Sequence, residues 1–344
     1  MSGNTGLGVI LPLLLLCAST LTAQQAIPAA TPSRIDLDVV VTPSSGRPVT
    51  NLQQQDFTIL DNKKPQSITS FHAPGASQTP VHVILVIDAV NTSYINIAYQ
   101  RGQIDKFLQA NGGQLAEPTA LAFFTDKGIE IQKDFATDGN ELSGSFDSYA
   151  IGLRDIRRSS QYAAIDEFQL SLAALGELVA TEAPRPGRKM ILWVSPGWPL
   201  LSGPGIQLGF QQQQKIFATI VNLSTQLRQG HITLYNINPL GAGEGVGRTF
   251  YYQTFVKGVS KPGQVAVGDL GLQVLATQSG GLVLNSSNEL FPLLEKCMDD
   301  AKASYQLSFD SSVAEHHDEY HSLEIRVNVP GVTARTRTGY YAQP

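Results

Sequence analysis

The chain has 344 residues, of which 42% are hydrophobic and 15% charged, and its formal net charge at pH 7 is −5. This length can bury a substantial core, in one large domain or in two of ordinary size. The negative balance and the absence of any Lys/Arg-rich run argue against a nucleic-acid partner.

The N-terminus carries one strongly apolar stretch, Leu7–Leu16, which is too short to span a bilayer as a helix. Small and polar residues follow it, so a cleaved signal peptide is predicted over residues 1–23, although no Lys or Arg precedes Arg34. The mature protein would then be secreted or periplasmic, without a stable membrane span. Cleavage would remove Cys17 and leave Cys297 as an unpaired thiol, predicted to be buried on a helix face.

Residues 34–75 have the pattern of β-structure. Ile35–Val41 is predicted as a half-buried strand, and Phe57–Leu60 leads into a hairpin turn at Asp61–Lys64. Gln66–Phe71 is predicted as one further strand. About 40 residues are few for an independent core.

From residue 80 to residue 302 the pattern changes to alternating strands and helices. Val81–Ala89 lacks polar alternation, which is typical of a strand buried on both faces of a parallel sheet. Further strands are predicted at Leu121–Phe124, Ile129–Phe135, Lys189–Ser195, His231–Asn236 and Leu282–Leu284. Helices are predicted at Ile95–Asn111, Ala163–Ala180, Phe210–Arg228, Leu270–Gln278 and Leu290–Ala303. The glycine-rich stretch Leu240–Gly268 is predicted to be an insertion loop.

The last segment, residues 303–341, returns to β-structure. Strands are predicted at Ser304–Phe309, His321–Val329 and Val332–Tyr340, with a polar turn at Asp310–Tyr320. The whole chain is therefore predicted to be α/β: a doubly wound, mostly parallel sheet in residues 80–302, inserted into a small β-sandwich-like domain. The terminal segments, 34–75 and 303–341, would together form that β domain.

Polar side chains follow the first central strand directly. Asp88 ends Val81–Ala89, and Asn91, Thr92 and Ser93 come next, while Ser195 ends the second central strand. In open α/β sheets the ligand crevice lies beyond the carboxyl ends of the strands, so these residues are predicted to form a binding rim. Their oxygen atoms are of the kind that bind Mg²⁺.

The order of these motifs resembles the von Willebrand factor type A (VWA) domain, and the whole chain is similar to the secreted VWFA-related proteins common in acidobacteria. The resemblance rests on Val40–Thr42, Gly46–Val49, Leu52, Gln55–Phe57, Leu60-Asp61, Pro65-Gln66, Phe71, Asp88, Asn91–Ser93, Gly187–Lys189 and Arg337–Tyr341.

The resemblance implies a sheet whose rim holds one divalent cation. The family motif is Asp-x-Ser-x-Ser, with a Thr from a second loop and an Asp after the fourth strand. Asp88 and Thr92 match the motif's ends as metal ligands, but Val90 replaces its middle serine. Ser195 stands in the sequence Ser-Pro-Gly where the family has Asp-Gly.

The second-loop Thr has only Ser159 or Ser160 as a counterpart. A degenerate site is therefore predicted, with no certain cofactor and Mg²⁺ as the candidate. The alternative role for Asp88 is to accept backbone N–H bonds from its own loop.

Three other patterns leave alternatives open. His316 and His317, with His321, suggest a solvated loop or a weak metal site. Gly241–Gly247 suggests a flexible loop more than a phosphate-binding loop, because it lacks the Lys-Ser/Thr pair. The aromatic residues of the insertion could form a binding surface or pack onto their own domain: Phe250, Tyr251, Tyr252 and Phe255.

The predicted function is a secreted or periplasmic binding or adhesion module, not an enzyme, whose partner is a protein or an envelope component. The second hypothesis is an Mg²⁺-dependent version of the same module that uses Asp88. A serine hydrolase built on Ser195 is the remote alternative, because no G-x-S-x-G motif surrounds this serine and Pro196 follows it.

Overall fold

The computed structural model describes residues 33–44, 46–76, 81–150, 163–199, 201, 207–238, 250–285, 287 and 289–343. The predicted signal peptide, Ser159, Ser160 and Gly241–Gly247 lie outside the described residues.

A mostly parallel sheet forms the centre of the molecule. Its strands are β5 (Val81–Asp88), β6 (Gln114–Thr125), β7 (Gly128–Ile131), β8 (Ala136–Asp138), β9 (Arg188–Val194), β10 (Ile232–Ile237) and β11 (Val283–Leu284). They are ordered β11-β10-β9-β5-β6-β7. Strand β7 runs antiparallel to β6, as does β8, which pairs with β6 off this path. With β8 left aside, the order is the 3-2-1-4-5-6 of doubly wound sheets.

Helices cover both faces of this sheet. They are α1 (Tyr94–Leu108), α2 (Gly139–Ala150), α3 (Ala163–Glu182), α4 (Phe210–Gln229), α5 (Leu272–Gln278) and α6 (Leu290–Lys302). Leu85 and its same-face neighbours on β5 pack in one core with residues of α1, α2 and α6. Val86 faces the opposite way, into a core with residues of α3, α4 and α5. Cys297 is buried in the first core, as predicted.

The terminal segments form two antiparallel sheets. Their strands are β1 (Arg34–Pro43), β2 (Phe57–Asp61), β3 (Lys64–Gln66), β4 (Ser70–His72), β12 (Ser304–Asp310), β13 (Glu319–Val327), β14 (Val332–Arg335) and β15 (Gly339–Ala342). The orders are β14-β1-β12-β4 and β15-β13-β2-β3. Residues from both sheets share one core. The predicted α/β class with additional antiparallel sheets is confirmed, while the division into domains stays a prediction.

Two predicted strands are each divided between the two sheets. The prediction of one strand over Gln66–Phe71 is wrong, because β3 and β4 pair with strands of different sheets. Val332–Tyr340 is likewise split into β14 and β15. Alternation of apolar residues records which face is buried but not where the backbone crosses from one sheet to the other.

Helix α2 was not predicted from the sequence. Its residues include Gly, Asn and several Ser, which have weak helix propensity, and it forms because Leu142 and Phe146 are buried in the core. Among the described residues, no helix has the length and apolar character needed to cross a membrane.

The prediction of a solvated histidine loop is wrong for His321. His316 and His317 are exposed, but β13 extends through His321 and turns its side chain inward. There its Nδ1 lies 2.9 Å from Asp61 Oδ1, and the Tyr340 hydroxyl donates to Asp61 Oδ2 at 2.7 Å. The hydrogen bond with Asp61 raises the pKa of His321, and this effect outweighs the lowering by burial.

We predict that this histidine makes the stability of the protein depend on pH. The protonated imidazole is favoured in the folded state, so its contribution is complete below its usual pKa of about 6.5 and is lost as pH rises through the raised folded value. Replacing His321 by Gln should lower the free energy of unfolding by about 2 kcal/mol in acid solution, because Asp61 then loses a charged partner.

The measurement is urea unfolding of wild type and His321→Gln between about pH 5 and about pH 9. The difference between the two proteins should shrink toward alkaline pH. The exposed His316→Gln variant serves as the control. A difference that stays constant or grows with pH would contradict the prediction.

Candidate functional site

Asp88 is fully buried at the carboxyl end of β5, in the middle of the central sheet. Its Oδ1 accepts the backbone N–H groups of Val90 at 3.0 Å and Asn91 at 2.9 Å. These are the hydrogen bonds to its own loop that the sequence offered as the alternative to metal binding by Asp88. Asp commonly closes a turn in this way, because its short side chain reaches the backbone two or three residues on.

The second oxygen of Asp88 is held by side chains. Oδ2 accepts the Trp193 indole N–H at 2.9 Å and the Asn91 side-chain amide at 2.8 Å. Burial raises the pKa of Asp88, whereas hydrogen bonds from Asn91, Trp193 and Ser195 act in the opposite direction. The cost of burying the carboxyl is thus offset by donors from two separate segments of the chain, the loop after β5 and the end of β9.

Of the predicted rim residues, Asn91 and Ser195 contact Asp88. The Asn91 amide also donates to Ser171 Oγ at 3.0 Å, which joins the loop to α3. Thr92 is buried, and Ser93 is exposed at the residue before α1. Ser195 is fully buried after β9, and its Oγ accepts the Gly197 N–H at 3.2 Å.

The donor set around Asp88 does not fit a divalent cation. A cation requires free oxygen lone pairs, and the carboxylate here accepts four N–H bonds. A bound metal would have to displace at least one of these donors, and Val90 supplies no oxygen from its side chain. Within the described ranges, no group of three or more His, Cys, Asp or Glu side chains is arranged to hold a metal.

Ser195 lacks the features of a nucleophile in this structure. Its side chain has no exposed surface, and the contacts described for its hydroxyl are with Gly197 and Asp88. A hydrolytic serine needs access to substrate and a base beside it.

Trp193 is the important site residue that sequence analysis missed. It lies in the apolar run of β9 and is fully buried, so its pattern indicates only a core residue. It packs edge-on against Phe124 at 5.7 Å and Trp198 at 5.3 Å between ring centroids. The available signal was its indole N–H, because a buried Trp usually has a hydrogen-bond acceptor.

The loop after β9 is fixed by a glycine. Gly197 has φ +106°, and a Cβ there would lie 1.8 Å from the Gln273 side chain. Gln273 Nε2 in turn donates to the Pro196 carbonyl at 3.3 Å. This contact places the start of α5 beside the rim.

Exposed apolar side chains surround this edge of the sheet. Helix α4 begins with Phe210, which is 70% exposed, and Ile165, in the first turn of α3, is 41% exposed. Both helices begin at the carboxyl edge, since α4 leads from β9 to β10 and α3 ends just before β9.

Some aromatic residues of the insertion pack onto the protein, and others are exposed to solvent. Phe255 packs against Tyr251, with ring centroids 5.5 Å apart, and lies against Gly268. Phe250 and Tyr251 nevertheless keep large exposed surfaces. Packed and solvent-exposed aromatic side chains therefore lie next to each other in the insertion.

Comparisons with known proteins give a fold likeness only. No protein-family model matches the chain, and no curated protein matches it. Among solved structures, the chain is similar to the manganese-loaded TRAP protein of Plasmodium vivax, with 10% sequence identity and a TM-score of 0.38. The match covers 78% of this chain and 97% of that chain. A likeness of this degree supports no conclusion about function.

We predict that the Trp193–Asp88 hydrogen bond makes a measurable contribution to stability. Trp198 provides a matched control, because it is also buried but its indole N–H has no hydrogen-bond partner among the described residues. Both Trp→Phe changes remove similar volume, so Trp193→Phe should cost about 1–3 kcal/mol more than Trp198→Phe. Urea unfolding of the two variants measures the difference, and equal losses would show that the hydrogen bond is not important.

Proposed function

We propose that the chain is a secreted or periplasmic VWA-like binding or adhesion module without enzymatic activity. Its partner, a protein or an envelope component, would contact the carboxyl edge of the central sheet. The strand order supports this proposal, because doubly wound sheets bind their ligands at this edge. Secretion is proposed from the N-terminal sequence alone.

The observation that carries the proposal is the chemistry of the rim. Its acidic group is hydrogen-bonded internally, while Phe210 and Ile165 expose apolar side chains at the helix ends beside it. Exposed aromatic and aliphatic side chains are the usual anchors of protein interfaces. Recognition would therefore depend on apolar contacts around a rigid edge rather than on a shared cation.

A second candidate is the Mg²⁺-dependent module that uses Asp88. It is favoured by two buried oxygen atoms, Asn91 Oδ1 and Thr92 Oγ1, for which the described part of the chain supplies no hydrogen-bond partner. Such atoms suit a hard cation. The internal hydrogen bonds of Asp88 oppose this candidate.

We predict that the wild-type protein binds neither Mg²⁺ nor Mn²⁺ at millimolar concentration. Calorimetric titration should give only heats of dilution, and added metal should leave the melting temperature unchanged, because binding would have to break hydrogen bonds of Asp88. The Asp88→Asn variant should behave in the same way. Saturable binding by wild type that Asp88→Asn abolishes would instead establish the metal-dependent module.

We also predict that partner binding is lost when the rim becomes polar. Phe210→Ser and Ile165→Ser should each weaken binding to the native envelope fraction about tenfold or more, since they remove exposed apolar anchors. Val313→Ser is the matched control, because Val313 is 52% exposed in the β12–β13 connection. Quantitative co-sedimentation measures the three variants, and equal binding by all of them would contradict the rim as the binding surface.

A further inference from the structure

A polar cavity lies far from the predicted binding rim. It has a volume of about 250 Å³ and is bounded by strands β1, β4 and β12 on one side and by the residues that begin β9 and β10 on the other. Because Asp88 lies at the carboxyl ends of the parallel strands, this cavity is at the opposite edge of the sheet. None of its lining residues belongs to the predicted binding rim.

The strand pattern explains why this cavity is polar. Along β1, Leu37 and Val39 point into the core shared by the two antiparallel sheets, so Asp36 and Asp38 point the other way. They line the cavity, and His72 from β4 lines it as well. The outward face of an antiparallel sheet has thus become the wall of an internal cleft.

Both carboxylates in the cavity are already paired with arginines. Arg34 Nε lies 2.9 Å from Asp36 Oδ1, and Arg188 Nε lies 2.7 Å from Asp38 Oδ1. Asp36 Oδ1 also accepts the Ser308 hydroxyl at 2.6 Å. These acids therefore leave little negative charge to balance further cations.

Two more arginines nevertheless lie close behind this wall. Val40 pairs with Arg335 in the antiparallel register of β1 and β14. Two residues further on, the same register would place Arg337 opposite Asp38. Arg337 is only 7% exposed, and burial lowers its pKa to about 10, with Asp38 raising it and Arg228 lowering it further.

Arg228 interacts electrostatically with Asp36, and its Nε is buried without a hydrogen-bond partner in the described ranges. Among the described residues, neither Arg228 nor Arg337 has a carboxylate within 4.0 Å that would make an ion pair. Two arginines and two carboxylates balance among the residues that line the cavity, and Arg228 and Arg337 add positive charge from behind this wall.

His231 adds a positioned imidazole to the lining. Its backbone has φ +50°, a left-handed conformation that L-residues with larger side chains rarely adopt. The conformation is held in place because its N–H donates to the Arg228 carbonyl at 3.0 Å and its carbonyl accepts the Lys189 N–H at 2.9 Å. A left-handed residue at this place is a common way to end a helix, here α4, and it fixes where the imidazole begins.

We propose that this cleft binds a small phosphate-bearing ligand. Guanidinium and imidazole groups converge on the cavity, and such groups form strong charge-assisted hydrogen bonds with phosphate oxygens. Small-molecule pockets usually have volumes of about 300 Å³ or more. The slightly smaller volume of this cavity therefore suits a compact ligand. The carboxylate oxygens of Asp36 and Asp38 can accept hydrogen bonds from hydroxyl or amino groups in the organic part of a phosphate ester.

The test is calorimetric titration of the full chain with inorganic phosphate and with glycerol 3-phosphate, at an ionic strength fixed with sodium chloride. Arg34→Gln should raise the dissociation constant about tenfold. Arg34 is 60% exposed, so its loss leaves the core intact. His231→Asn should have a similar effect, because Asn accepts the left-handed backbone without supplying the imidazole.

Arg326→Gln is the matched control. Arg326 is 63% exposed and pairs with Glu324 two residues away, as Arg34 pairs with Asp36, but it lies on β13 outside the cleft. It should bind both probes as wild type does. Tighter binding of the ester or of free phosphate would identify which source of the phosphate group the site prefers.

The absence of saturable heat with either probe in wild type would overturn the proposal, and so would an equal loss in Arg326→Gln. The cleft is independent of the proposed rim function. Failure at one site therefore leaves the other unaffected.

Discussion

The buried carboxylate of Asp88 is the constraint on which the carboxyl edge of the central sheet depends. A fully buried acid is tolerated only when its oxygens accept hydrogen bonds, and here the donors come from its own loop and from Trp193 on the neighbouring strand β9. Asn91 extends the connection to α3. One side chain thereby fixes the relative positions of two central strands, a loop and a helix.

The same interaction separates this edge from a metal-dependent rim. In a cation site the acid's charge is balanced by the metal, whereas here it is balanced by N–H dipoles. The indole of Trp193 is large and sits between two other aromatic rings, so its N–H direction is set by packing. The proposed recognition therefore rests on the exposed apolar side chains near this edge, such as Phe210 and Ile165.

Much of the fold could be predicted because its signals are local. The unbroken apolar run of β5 identified a central strand and placed Asp88 at its end. The Asp61–Lys64 turn was also predictable, and Asn62 and Lys63 have φ values of 48° and 67°, as a tight hairpin requires. The divided strands β3/β4 and β14/β15 were not, because a change of sheet leaves no mark on the alternation of side chains.

The sequence by itself determined the strands and helices that carry a regular apolar pattern, and that Asp88, Asn91 and Ser195 lie together at one edge of the sheet. Only the tertiary structure decided what each charge faces. Trp193 is 105 residues from Asp88, and His321 is 260 residues from Asp61. Periodicity specifies which side chains are buried, but the partner of a buried charge depends on long-range packing. Asp88 is consequently a hydrogen-bonded structural residue at the proposed binding edge. Its local sequence alone would fit a metal ligand equally well.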